Sequence, residues 1–175
     1  MLMETTKYQM PEYNTIFFEK LKNYLDTKIY FFGSVQRVDY FPNGSDIDVA
    51  IFTPNIKSTI HQLQIFLNNN SSDYKTFFWR LNVDNSLVKG YKTIHKEHEN
   101  NFVVEFSIYD EKYKESILKE HNSRQNLPLY ASCLLIIIKY LFYTLNIMPA
   151  EWYRYLKKII LTKLIFKKED DFLVL

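Results

Sequence analysis

Two aspartates, Asp46 and Asp48, open an apolar segment of the chain, and the pair Gly33-Ser34 closes the apolar segment before it. Side chains of a β-strand alternate between its two faces, so both aspartates are predicted to point one way while Ile47 points into the core. Two adjacent carboxylates repel each other, and a divalent cation bound between them removes that cost. The spacing therefore predicts a metal site at a strand end.

A phosphate site is predicted beside these carboxylates. Gly33 lets the backbone approach a ligand closely, and Ser34 begins a helical turn whose N–H groups favour a phosphate. Arg37 follows within the same connection and could clamp phosphate oxygens, although an exposed arginine without a ligand explains it equally well. A phosphate cradle facing a metal-binding pair is the pattern that results.

Residues 29–52 resemble the signature of the DNA polymerase beta-like nucleotidyltransferase superfamily: a strand ending in Gly-Ser, about a dozen residues, then Asp-x-Asp. Tyr40-Phe41-Pro42 makes the stretch most similar to poly(A) polymerase-like and minimal nucleotidyltransferases. The resemblance implies an α/β (α+β) fold, with a mixed, palm-like sheet, flanking helices and a helical C-terminal part. It also implies transfer of a nucleoside monophosphate from a triphosphate such as ATP, with Mg²⁺ or Mn²⁺ held by Asp46 and Asp48.

A third carboxylate is expected, because one ion must also reach the attacking hydroxyl. Glu105 is the candidate, since an acid within the apolar strand 102–107 indicates that this face lines a cleft. The superfamily often has Asp at this place, so the longer Glu alters the metal geometry. Asp110 is the runner-up, but it lies on the opposite face at a strand end, where it is expected to cap a helix.

Four basic residues are further candidates. Lys139 lies in an apolar helical stretch, so its ammonium is expected to enter a cleft, pair with an acid or reach solvent along its stem. The resemblance implies that it contacts the triphosphate, with Gly33, Ser34 and Arg37. Arg154, Lys157 and Lys158 share the last helix, where they form either a solvated face or a contact with a nucleic acid.

The length and the pattern of apolar and turn-forming residues predict one domain over 1–175, with strands over 28–110 and helices over 111–175. The resemblance implies that this is a nucleotidyltransferase domain and that 28–110 is its catalytic sheet region. Residues 87–96 and 102–109 are predicted to form a hairpin. The predicted helices span 11–27, 56–67, 111–121, 128–145 and 149–166, and the other predicted strands span 28–32, 46–52 and 74–83.

Composition indicates the cellular compartment of the protein more than it indicates the reaction. The formal charge of +2 neither requires nor excludes nucleic acid. The single Cys133 is expected to be a buried, inert thiol, which indicates a reducing compartment and no disulfide. No signal peptide or membrane helix is expected, so the sequence predicts a cytoplasmic protein. His95 and His98, without a cysteine nearby, make a zinc site improbable.

The acceptor is open at this stage: a nucleic-acid 3′ end, a tRNA, a protein side chain or a small molecule. A templated polymerase is disfavoured because little chain remains to grip a duplex. The alternative is a catalytically silent module with this fold that binds nucleic acid or protein, such as a toxin–antitoxin component. Paired aspartates argue against a silent module, since it does not need them. The oligomeric state is not predicted.

Overall fold

The computed structural model describes residues 3–162 and the backbone of residues 172–174. Within these ranges the chain forms five α-helices and six strands. The helices are α1 (Glu12–Leu25), α2 (Ile56–Leu67), α3 (Lys114–Ser123), α4 (Leu129–Lys139) and α5 (Ala150–Ile159). The strands are β1 (Ile29–Phe32), β2 (Ile47–Thr53), β3 (Lys75–Arg80), β4 (Leu87–Glu97), β5 (Phe102–Asp110) and β6 (Phe172–Val174).

The strands form one mixed sheet in the order β1-β2-β5-β4-β3-β6. β2 and β5 run parallel, and the other neighbouring strands pair antiparallel. The predicted hairpin is confirmed, with Glu97 opposite Phe102 at its closed end. The predicted mixed sheet with flanking helices is also confirmed.

One face of the sheet packs against α1 and α2. Ile47, Val49 and Ile51 of β2 are buried in this core, as the alternation of the strand predicts. α2 starts where the Asn55 side chain accepts a hydrogen bond from the Ser58 amide at 3.2 Å, a standard helix N-cap. The two helices thus cover one face of the central strands.

The other face is only partly apolar. Its aromatic part, which includes Phe32, Phe77 and Trp79, packs with Ile117 of α3. α4 and α5 form a separate cluster around Leu135 and Tyr153. Between these two clusters the sheet face remains open to a ligand.

The C-terminal part departs from the purely helical prediction. The predicted helix 128–145 is α4 followed by a π-helical turn, Tyr140–Thr144. The predicted helix 149–166 is seen as α5, and its residues 163–166 lie outside the described residues. β6 is a strand that pairs with β3, so a helical end was the wrong prediction there. Pairing covers a sheet edge that would otherwise expose backbone donors and acceptors. The extent of the single domain over 1–175 stays a prediction.

Among the described residues, none of the helices combines the length and the apolar character needed to cross a bilayer.

Glu120 is a buried carboxylate that ties α3 to the chain after β3. Its Oε2 accepts hydrogen bonds from the amides of Asn82 and Val83, each at 2.9 Å. Its Oε1 forms an ion pair with Arg124 at 2.6 Å. Only 1% of Glu120 is exposed, so its charge depends on these partners.

We expect Glu120→Ala to lower the free energy of unfolding by about 3–5 kcal/mol, because the partly buried Arg124 guanidinium and two amides lose their acceptor. Glu115→Ala, on the exposed side of the same helix, should change it by less than about 0.5 kcal/mol. Urea denaturation measures both. Equal midpoints for the two variants would contradict this role for Glu120.

Candidate functional site

Asp48 lies against the end of β1, because the pairing of β1 with β2 places Phe32 opposite Asp48. The next residue, Gly33, has a φ of +68°, and a Cβ at Gly33 would overlap Oδ2 of Asp48. Glycine alone combines this backbone conformation with room for the carboxylate. The helical turn predicted here is a 3₁₀ turn, Gly33–Gln36.

Asp48 and Glu105 are neighbours across the parallel pair β2 and β5. Directly paired residues point to the same face of a sheet, so both carboxylates lie on the face opposite α1 and α2. Lys92 of β4 reaches the same place, and its Nζ lies 2.6 Å from Oε1 of Glu105. Two acids and one lysine therefore meet at the centre of the sheet.

The electrostatics of Asp48 reflect this crowding. Burial, followed by the charge of Glu105 and more weakly that of Asp46, raises the pKa of Asp48 to about 6. Lys157 acts in the opposite direction and lowers it. A carboxylate with a raised pKa beside a second acid is a site where a bound cation would favour the ionised form.

Asp46 lies one residue before β2 and is exposed. Its negative charge contributes to the raised pKa of Asp48. In the part of the chain that the structure describes, no three Asp, Glu, His or Cys side chains are gathered closely enough to hold a metal together. The structure thus brings Asp48 and Glu105 side by side and leaves Asp46 exposed before the start of β2.

A cavity of about 420 Å³ lies over this face. The sheet supplies its floor, and the end of α3 and the segment after α5 supply its walls. The lining residues with charged or other polar side chains are Arg37, Asp48, Trp79, Lys92, Glu105, Ser107, Tyr109, His121, Arg124, Gln125, Lys158 and Thr162, and Gly33 contributes only its backbone. Its basic side chains face two carboxylates, an arrangement suited to an anionic ligand that carries a cation.

Of the other predicted phosphate ligands, some line the cavity and others do not. Arg37 lines the cavity, and its Nε and Nη2 bind the carboxylate of Asp39 at 2.8 and 3.1 Å. Ser34 is buried outside the cavity wall, and its carbonyl accepts from the Arg37 amide at 2.8 Å. Gly33 and Arg37 therefore reach the cavity, whereas the Ser34 side chain does not.

Lys139, for which the resemblance implies contact with a triphosphate, does not line the cavity. It is 1% exposed, lies outside the cavity wall and forms an ion pair with Oδ2 of Asp39 at 3.0 Å. Pairing with an acid was one of the three expectations, and emergence into a cleft or into solvent is contradicted. The acid that neutralises it lies 100 residues earlier in the chain, which the local sequence could not reveal.

Three other residues have definite places. Asp110 caps the 3₁₀ turn that follows β5, and its side chain accepts from the Lys112 amide at 3.0 Å. His95 is half-buried and stacks on Phe17 at 5.7 Å. Cys133 is exposed, so the prediction of a buried thiol was wrong: α4 buries its opposite face, around Leu135.

Sequence reasoning missed Lys92, His121 and Arg124 and gave Lys158 a different role. Lys92 had a usable signal, because the hairpin register places it opposite Ser107, two residues from Glu105 on the same face. His121 stacks on Phe32 with ring centroids 3.8 Å apart, and burial lowers its pKa to about 3. Its place and that of Lys158 depend on packing between distant helices.

A model of the nucleotidyltransferase domain matches residues 14–126, which contain Gly33, Asp46, Asp48 and Glu105. No curated protein matches the chain.

The raised pKa of Asp48 predicts how stability varies with pH when chelator removes cations. Between about pH 4 and pH 6 the native state keeps a proton that the unfolded state has lost. Stability therefore falls as pH rises through this window, by up to about 3 kcal/mol. We expect Asp48→Asn to be the more stable protein at pH 7.5 in EDTA, by about 1–3 kcal/mol, and nearly equal to wild type at pH 4.

Denaturant unfolding of both proteins in EDTA at the two pH values measures this difference. A variant that is less stable than wild type at both pH values would mean that Asp48 holds the fold together through a structural contact.

Proposed function

Because the chain belongs to the nucleotidyltransferase domain family, whose model covers residues 14–126, we propose a metal-dependent enzyme. It transfers a nucleoside monophosphate from a nucleoside triphosphate to an acceptor hydroxyl and releases pyrophosphate. The observation that carries this proposal is the pairing of Asp48 with Glu105 across β2 and β5, on the floor of the cavity. Like charges side by side in a partly buried setting are costly unless a cation is bound there.

The residues present fit Mg²⁺ or Mn²⁺. Both are hard ions that prefer carboxylate oxygens, and the neighbouring side chains of Asp48 and Glu105 supply them. Gly33 leaves space around Oδ2 of Asp48, where any Cβ would intrude. Bound there, the metal would lower the pKa of the acceptor hydroxyl and offset charge on the triphosphate.

The chain itself binds and orients the substrate. Backbone amides of the turn that begins at Gly33-Ser34 cradle the β- and γ-phosphates, and the Arg37 guanidinium lies at the same wall. We give Lys158 the triphosphate contact that the resemblance implies for Lys139, because Lys158 lines the cavity. The acceptor oxygen attacks the α-phosphorus, the bond to the bridging oxygen breaks and pyrophosphate leaves. Catalysis is mainly positioning and charge neutralisation.

For the acceptor we propose the 3′ hydroxyl of RNA or DNA. Lys158 lies at the cavity and Lys157 is close enough to Asp48 to lower its pKa. Arg154, one turn earlier on α5, is exposed beyond them. A basic path that leads into the cavity suits a polyanionic chain whose end enters the site.

The second candidate is a silent binding module, and the Lys92–Glu105 ion pair favours it. A lysine 2.6 Å from Glu105 supplies the positive charge that a metal would otherwise supply. In a module of this kind the fold binds nucleic acid or protein without chemistry. Activity in the presence of Mg²⁺ or Mn²⁺ separates the two candidates.

The test is incubation with each α-labelled nucleoside triphosphate, Mg²⁺ or Mn²⁺, and extracts of RNA and protein. Label in RNA or DNA supports the proposed acceptor, whereas label in protein or in a small molecule replaces it. No labelled product with any triphosphate, together with intact binding of RNA, would favour the silent module.

We expect Glu105→Gln to reduce transfer at least about a hundredfold, because a metal ligand is lost where charge develops in the transition state. Asp110→Asn is the matched control on the same strand, and it should retain transfer because Asp110 caps a turn. The initial rate of label incorporation measures both. The opposite result would move the third carboxylate to Asp110.

Lys158→Gln should raise the KM for the triphosphate about tenfold with little change in kcat, because it removes one cation from ground-state binding. Arg154→Gln, which is exposed on the same helix, should leave this KM within about twofold and weaken only the nucleic-acid acceptor. Steady-state kinetics with the triphosphate and the acceptor varied in turn gives kcat and the KM for each substrate in both variants. An unchanged triphosphate KM for Lys158→Gln would place the triphosphate elsewhere.

A further inference from the structure

Lys139, at the end of α4, is bound to the loop that precedes the two aspartates. Its ammonium donates to the carbonyl of Asp39 at 2.6 Å and to Oγ of Ser45 at 3.0 Å, besides its ion pair with Asp39. The side chain of Asp39 is 0% exposed and that of Lys139 is 1% exposed. One buried cation thus holds both ends of the loop 39–45.

The carboxylate of Asp39 joins this contact to the cavity wall. Arg37 binds it through two nitrogens, at 2.8 and 3.1 Å. Burial opposes ionisation of Asp39, but Arg37 and Lys139 together hold its pKa below the usual value. Arg37, Asp39 and Lys139 form one ionic chain that runs from the cavity to α4.

The π-helical turn after Lys139, Tyr140–Thr144, contacts the same loop at a second place. Phe41 stacks on Tyr143 with ring centroids 5.6 Å apart. A Cβ on Gly44 would lie 2.9 Å from the Tyr143 ring, so the ring lies directly on this glycine. Within the loop, the Ser45 hydroxyl also accepts a hydrogen bond from the Phe41 amide at 3.1 Å.

Ser45 is followed immediately by Asp46, and Asp48 comes two residues later. Any movement of Ser45 therefore shifts the start of β2 and the carboxylates it carries. A buried lysine is desolvated, and the ammonium of Lys139 is held by three polar contacts to one loop. Register and geometry, more than stability, are what such a buried charge can specify.

We propose that Lys139 is a positioning residue for the metal site: through Asp39 and Ser45 it fixes the loop 39–45 and so the separation of Asp46, Asp48 and Glu105. This inference rests on the proposed function, since it concerns the same carboxylates. It gives Lys139, at the end of α4, an effect on the metal site although α4 lies outside the cavity.

The test compares Lys139→Met with Leu135→Ala, a core change one turn earlier on α4. Three properties are measured at a temperature well below both melting points: Mn²⁺ affinity by electron paramagnetic resonance, hydrogen exchange of residues 39–45, and kcat and KM. We expect Lys139→Met to raise the Mn²⁺ Kd and to lower kcat at least tenfold, with the triphosphate KM within threefold. Exchange of residues 39–45 should quicken. Leu135→Ala should be less stable yet keep the wild-type Mn²⁺ Kd within twofold.

A folded Lys139→Met protein with wild-type Mn²⁺ affinity and loop exchange would overturn the inference. If Lys139→Met does not fold, Ser45→Ala removes one contact of the ammonium at a half-buried position, and it should raise the Mn²⁺ Kd at least threefold. An unchanged Kd in Ser45→Ala overturns the inference equally.

Asp48→Asn separates this inference from the proposed function. If wild type binds Mn²⁺ and Asp48→Asn binds it equally well, the metal site itself is misplaced and both proposals fail. If Asp48→Asn loses Mn²⁺ while Lys139→Met keeps it, the inference about Lys139 fails alone.

Discussion

The parallel pairing of β2 with β5 sets two carboxylates, Asp48 and Glu105, side by side on one face of the sheet. Adjacent acids in a partly buried setting repel, and much of the surrounding structure responds to that repulsion. Position 33 is a glycine, which leaves room for the Asp48 carboxylate. Lys92 pairs with Glu105, and α5 brings Lys157 close enough to lower the pKa of Asp48.

One face of the sheet forms the apolar core, and the other face carries the candidate site. The face against α1 and α2 is a continuous apolar core, and it supplies the rigidity that a site of this kind requires. On the other face, apolar packing is split between the aromatic cluster with α3 and the cluster of α4 and α5. The gap between them is the cavity, so the site exists because this face is incompletely filled.

The ionic chain of Arg37, Asp39 and Lys139 connects the cavity wall with α4. Charges this deeply buried contribute little net stability against apolar residues of the same size, but they are strongly directional. The chain therefore makes the loop before β2 depend on α4, which is far away in sequence. The same packing exposes Cys133 on the outer side of α4.

Local sequence alone determined the strands around Gly33 and Asp48, the hairpin of β4 with β5 and the capping role of Asp110, because alternation and turn chemistry act over a few residues. The choice of Glu105 as the third carboxylate stays a prediction. Only the tertiary structure decided which charges meet. It placed Lys139 on Asp39 instead of in the cavity, brought Lys158 and His121 to the cavity wall and paired β6 with β3. These contacts join residues tens of positions apart, and a side chain's partner across such a distance is set by how helices pack, which no local pattern encodes.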